Sequence, residues 1–121
     1  MHPRITSLTH KGHDILYVDY SRLKDEEYKS AILGSQEAII GMGKNDILLL
    51  VNIENSLLTK EIAAIQREVS GRTKHLVKKI ALIGASPLHR ILANLAVTAL
   101  NAKIFRFLKT REEAEDWLTA P

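Results

Sequence analysis

The spacing of hydrophobic residues changes several times along the chain, and each change predicts a new secondary structure element. Two short segments rich in β-formers come first, ITSLTH at residues 5–10 and DILYVDY at residues 14–20. Gly12 lies between them and tolerates a positive φ, so the pair is predicted to form a hairpin. Two continuously apolar runs follow, DILLLVNI at residues 46–53 and KKIALIGA at residues 78–85. Such runs are typical of strands covered on both faces, as in a parallel sheet.

In the segments between these strands, apolar residues recur at the spacing of a helix. Residues 24–43 predict a first helix, with Gly34 placed for close packing against a strand, and residues 59–77 predict a second helix with a break at Gly71. SPLHRILANLAVTALN at residues 86–101 is a third helix that Ser86 would cap. Residues 110–118 open with a capping box and predict a fourth helix.

The resulting order is β-β-α-β-α-β-α-β-α, with KIFRFLK at residues 103–109 as the last strand. Strands that alternate with helices form parallel pairs with right-handed crossovers, and the opening hairpin makes the sheet mixed. We therefore expect an α/β fold with about five strands and four main helices. Because 121 residues suit one compact domain, residues 1–121 are interpreted as a single domain.

Composition excludes several classes of protein. The chain has no cysteine, so it cannot form disulfides or thiolate metal sites, and it fits a reducing compartment. No apolar stretch reaches the roughly 20 residues of a membrane span, and the first residues lack the apolar core of a signal peptide, so we expect a cytoplasmic protein. A net charge of +3 with 5% aromatic residues does not indicate nucleic-acid binding.

The order of elements over essentially the whole chain resembles the STAS domain, and more closely its SpoIIAA-like branch, whose topology is shared with CRAL-TRIO domains. Four segments carry the resemblance: ILYVDYSRLKDEEYKSA, DILLLVNIEN, VKKIALIGAS and KIFRFLKTREEAEDWL. It implies a regulatory, protein-binding module of a bacterial-type signalling system, related to anti-sigma-factor antagonists. The CRAL-TRIO-like topology implies an alternative, a carrier of a small apolar or lipid-like ligand.

The resemblance also marks Ser56 as a candidate phosphoacceptor. Anti-sigma-factor antagonists have an Asp-Ser pair after the third strand, and a kinase phosphorylates that serine. Ser56 of NIENSLLT falls in this region, but Asn55 stands in place of the aspartate, and Leu57 and Leu58 replace the small residues that follow. The alternative is a loop serine that helps to cap a helix.

Two stretches could bind an anion or an acidic partner. The segment IGASPLHR places Ser86, His89 and Arg90 at a helix N-terminus, and Asn55 follows the neighbouring strand. The alternative there is a helix cap with two solvated side chains. The segment REVSGRTKHLVKK, residues 67–79, concentrates basic residues that could face a phosphate, a membrane surface or only solvent.

The sequence contains no recognisable catalytic constellation. Asp19 and Glu54 end neighbouring strands and could share a crevice, but no nucleophile elbow or oxyanion loop accompanies them. The five histidines do not have metal-ligand spacing, although His10 and His13 flank the hairpin turn. We therefore predict a protein that is not an enzyme and has no metal or cofactor.

The third predicted helix is apolar over much of its circumference, because Ala93 and Val97 lie away from its main apolar face. These two residues could contact a second subunit or line an apolar ligand cavity. Burial under the last helix is the alternative. The expected partners are thus an unidentified protein, a second copy of the chain, or a small apolar ligand.

Overall fold

The computed structural model describes residues 1–90 and 104–121, which form a mixed five-stranded sheet with the strand order β1-β2-β3-β4-β5. The strands are β1 (Ile5–His10), β2 (His13–Asp19), β3 (Ile47–Asn52), β4 (Val77–Ile83) and β5 (Phe105–Phe107). β1 pairs antiparallel with β2, and all other pairs are parallel. The predicted fold class is confirmed.

The helices are α1 (Asp25–Gly41), α2 (Lys60–Thr73), α3, of which residues 87–90 are described, and α4 (Arg111–Thr119), with a short 3-10 segment at Lys74–Leu76 after α2. Thr59 and Thr110 cap α2 and α4, because each hydroxyl accepts a hydrogen bond from the backbone N–H three residues later, at 3.1 Å in both cases. No helix of the described residues is long and apolar enough to cross a membrane.

Side chains of the central strands point alternately to the two faces of the sheet, and each face has its own hydrophobic core. Leu49 and Val51 of β3 face α1 and α2, where they join Val18, Ile32 and Val69. Leu48 and Leu50 point to the opposite face of the sheet, where Ala114 and Leu118 of α4 cover them. This arrangement explains the continuous apolar run of β3, since both faces of the strand are buried.

Two glycines have roles that differ from those predicted. α2 continues through Gly71 to Thr73, so the predicted break is wrong, and the chain turns only in the 3-10 segment that follows. Gly34 does allow close packing, but against His2 and not against a strand. A Cβ atom at Gly34 would lie 2.7 Å from the His2 Cβ atom.

The turn of the hairpin contacts α4 through charged side chains. His10 Nε2 lies 2.8 Å from Asp116 Oδ1, and Lys11 Nζ lies 3.1 Å from the same oxygen. His10 Nδ1 is also 3.5 Å from Glu115 Oε2. Hydrogen bonds from His10 and then Lys11 hold the pKa of the Asp116 carboxyl below its ordinary value.

We expect the contribution of Asp116 to stability to disappear in acid. Because its pKa is lower in the folded state, the contribution is fully present above the ordinary pKa of 3.8 and is lost as the pH falls through the folded value. Asp116→Asn should lower Tm slightly near neutral pH, since the pair is exposed to solvent. The difference from the wild type should vanish in acid, as measured by thermal unfolding across a pH series.

The matched control for this prediction is Glu112→Gln. Glu112 is an exposed carboxylate of the same helix that forms no ion pair with a described residue. A Tm difference that is the same for both variants at every pH would contradict a specific role for the contact between Asp116 and the hairpin.

Candidate functional site

The loops that follow β2, β3 and β4 lie at the same edge of the sheet, where parallel strands end. We call these loops, residues 20–24, 53–59 and 84–86, together with the first turn of α3, the carboxyl-edge platform. Backbone hydrogen bonds connect the loops: Arg22 N donates to Glu54 O at 2.9 Å, and Leu57 N donates to Leu23 O at 2.9 Å. The platform is therefore one hydrogen-bonded layer and not a set of independent loops.

The backbone of the platform is held in uncommon conformations. Arg22 and Asn55 both have positive φ, 61° and 55°, which non-glycine residues rarely adopt. Gly84 has φ 77°, and a Cβ atom there would lie 2.7 Å from the backbone nitrogen of Glu54. The loops after β3 and β4 can approach this closely only because position 84 is glycine.

Ser56 is buried inside the platform, with 7% of its surface exposed. Its hydroxyl donates to Ile53 O at 3.0 Å and accepts from Tyr28 Oη at 3.4 Å. Burial raises the pKa of Tyr28, so the phenol remains protonated and can donate. In this conformation Ser56 joins α1 to the loop after β3, and its role as a phosphoacceptor stays a prediction.

Ser86 and His89 interact with each other at the start of α3. Ser86 is the predicted N-cap, since its Oγ accepts a hydrogen bond from His89 N at 3.1 Å. His89 is buried, and its Nδ1 accepts from Ser86 N at 3.2 Å while its Nε2 donates to Ser56 O at 3.1 Å. Both ring nitrogens are used within the protein, so in this arrangement His89 does not face solvent as a residue free to bind an anion.

The other predicted anion-binding residues are exposed but make separate contacts. The Arg90 guanidinium lies over the ring of Phe107, 5.5 Å from its centroid. Asn55 is exposed in its positive-φ turn. The two carboxylates considered for a shared crevice also differ in their contacts, because Asp19 binds Arg4 at 3.3 Å and accepts from Ser21 N, whereas Glu54 is exposed.

Two large apolar side chains project from the platform into solvent. Leu57 is 51% exposed in the loop after β3, and Leu88 is 63% exposed in the first turn of α3. Their neighbours in the chain, Ser56 and His89, are joined by the hydrogen bond between Ser56 O and His89 Nε2, so both leucines belong to the platform. Ala93 and Val97, the predicted interface or ligand-facing residues, lie outside the described residues.

A cavity of about 270 Å³ lies behind the platform, between the sheet and the helices α1 and α2. Its apolar lining includes Val18, Leu49, Val51 and Leu82 from the sheet and Val69 from α2. Burial raises the pKa of Tyr20, another lining residue, whose phenol donates to Ser35 Oγ at 2.9 Å. The site is an apolar chamber with a few buried hydroxyls, which suits an apolar ligand.

The basic run at residues 67–79 is divided between different surroundings. Lys79 binds the end of α4, because its ammonium donates to Trp117 O at 2.9 Å and to Ala120 O at 3.1 Å. Arg67 and Lys74 are exposed and also line the cavity. The sequence indicated the concentration of charge but not that two of these cations face an apolar chamber.

The polar contacts inside the core were not predicted from the sequence. Tyr28 and Ser35 recur at helical spacing with the apolar residues of α1, and the hydroxyl of each bonds to a loop outside the helix. The available signal was the presence of two hydroxyl groups on a buried helix face, because buried hydroxyl groups require hydrogen-bond partners. The partners, Ser56 and Tyr20, are distant in the chain and could not be identified from spacing.

Comparison with known proteins gives a family and a fold. A family model described as SpoIIAA-like matches residues 15–119. The crystal structure of an uncharacterised protein from Shewanella loihica, described as having a SpoIIAA-like fold, superposes with a TM-score of 0.72 at 21% identity, covering 94% of this chain and 91% of that chain. No curated protein gives a significant match.

Proposed function

The chain belongs to the SpoIIAA-like family, and we propose that it is a non-catalytic regulatory module that binds a protein partner through the carboxyl-edge platform. The observation that carries the proposal is the pair of exposed leucines, Leu57 and Leu88, on a hydrogen-bonded backbone layer. Apolar side chains held rigidly in solvent favour association, because their burial is stabilising and little loop ordering is required.

The strained backbone supports the same proposal. Residues such as Arg22 and Asn55 stay in sparsely populated conformations only where neighbouring contacts hold them, and such residues cluster at functional sites. The platform also carries exposed charges of both signs, at Arg22, Glu54 and Arg90. A partner with an apolar centre and a charged rim would match this surface.

Site-specific photo-crosslinking tests the proposal. A photoreactive amino acid at position 57 or 88 should capture a partner in extracts of the source cells. The same residue at position 33 is the matched control, since Leu33 lies on the outer face of α1 and is similarly exposed, at 49%. A product of twice the chain mass would identify a second copy as the partner, and equal capture from all three positions would contradict the assignment of the platform.

A second candidate function is a carrier of a small apolar ligand, and the cavity of about 270 Å³ is the observation that favours it. The volume is close to the lower end of small-molecule sites, roughly 300 Å³. The cavity and the platform are adjacent, because His89 lines the cavity and bonds to Ser56 O. A ligand could thus be bound by the same module that presents the leucines to a partner.

A further inference from the structure

Among the described residues, the charged side chains that line the cavity all have the same sign. Arg67 and Lys74 line it, and no aspartate or glutamate does so among residues 1–90 and 104–121. We propose that the cavity binds an amphiphile with an anionic head, of the class of medium-chain carboxylates, with the head at Arg67. This inference rests on the second candidate function and gives the chemical class of its ligand.

The inner part of the cavity cannot hold the charge of such a ligand. The Tyr20 hydroxyl donates to Ser35, whose hydroxyl donates to Ile32 O at 2.6 Å, and the Thr73 hydroxyl donates to Val69 O at 2.8 Å. No buried side-chain donor or acceptor in the described part of the chain lacks a partner. A carboxylate placed there would be desolvated without a donor, so only the alkyl chain is stable inside.

The head of the ligand is therefore expected where the lining is exposed. Arg67 and Lys74 are both exposed and lie seven residues apart, about two helical turns or roughly 10 Å. Lys74 follows the C-terminus of α2, where the helix carbonyls attract cations and repel anions. Arg67 lies inside the helix, and its planar guanidinium fits a carboxylate, so it is the better contact for the head.

The volume of the cavity sets the length of the alkyl chain. A methylene group of the alkyl chain is about as large as a water molecule, which occupies roughly 30 Å³. A cavity of about 270 Å³ therefore holds about nine such groups. Octanoate and decanoate are close to this size. Each methylene buried should strengthen binding about fourfold, until the cavity is full and further carbons add little.

Titration of the intact chain with ligands of matched length tests the proposal, with binding followed by calorimetry and by the amide NMR shifts of lining residues. Octanoate should bind more tightly than octanol, and octyltrimethylammonium should bind most weakly. Affinity should rise from hexanoate to octanoate and level off near decanoate. Arg67→Gln should weaken octanoate binding about tenfold and leave octanol binding unchanged.

The matched control is Arg72→Gln, because Arg72 lies on the same helix, bonds to Gln36 and does not line the cavity. It should leave the binding of both ligands unchanged. If octanol binds as well as octanoate, or if Arg67→Gln has no effect, the anionic class is wrong although the cavity still binds apolar ligands. If none of these ligands binds, the carrier function fails as well, and the crosslinking test of the platform is unaffected.

Discussion

Replacing Gly84 by alanine should lower the free energy of unfolding by about 3 kcal/mol. Two costs add at this position. A left-handed φ of 77° is unfavourable for a residue with a Cβ atom, and the added atom would lie 2.7 Å from the Glu54 nitrogen and 2.8 Å from its Cα atom. Because these are backbone atoms, no side-chain rotation relieves the contact, and the loops after β3 and β4 must separate.

Gly12→Ala is the matched control for this prediction. Gly12 has φ 80°, but a Cβ atom there meets no atom within 4 Å. Gly12→Ala should therefore lower the free energy of unfolding only by the conformational cost, about 1–2 kcal/mol. Urea unfolding followed by the fluorescence of Trp117, the single tryptophan, measures both variants. Equal losses would show that the close approach of Gly84 to Glu54 costs nothing, which would contradict a rigid platform.

The fold could be predicted from the sequence because it depends on local patterns. The double-sided burial of β3 is visible in its unbroken apolar run, and the caps of α2 and α4 are visible as Thr59 and Thr110. Gly71 was misjudged because a glycine lowers helix stability by only about 1 kcal/mol, which tertiary packing of α2 outweighs. A glycine within a helical pattern does not by itself show whether the helix ends there or continues through it.

The candidate site was predicted less well, because its contacts join distant parts of the chain. Ser86 lies at a helix start as predicted, but His89, predicted as an anion-binding residue or alternatively a solvated side chain, is buried against Ser56 O. Whether a histidine faces inward depends on the loop that lies over it, and that loop is more than 30 residues away. The sequence gives no spacing rule for such a pair.

Ser56→Asp, the usual mimic of a phosphoserine, should destabilise the protein by roughly 3 kcal/mol or more. The carboxylate would replace a hydroxyl that is 7% exposed and donates to Ile53 O, a carbonyl that repels negative charge. Tyr28 can donate one hydrogen bond to it, which offsets only part of the desolvation cost. The effect should be smaller in acid, because a buried carboxyl group with a raised pKa is neutral there.

Asn55→Asp is the matched control, because it adds the same negative charge at a neighbouring residue that is exposed. It should change the free energy of unfolding by less than about 0.5 kcal/mol, measured by the same urea unfolding. Ser56→Ala should cost about 1–2 kcal/mol, since it removes both hydrogen bonds without adding charge.

If Ser56→Asp is as stable as the wild type, the platform accepts negative charge in place, and phosphorylation would act by changing the surface seen by a partner. The expected large loss would mean that a kinase can modify Ser56 only after the loop leaves Tyr28, so that phosphorylation would open the platform.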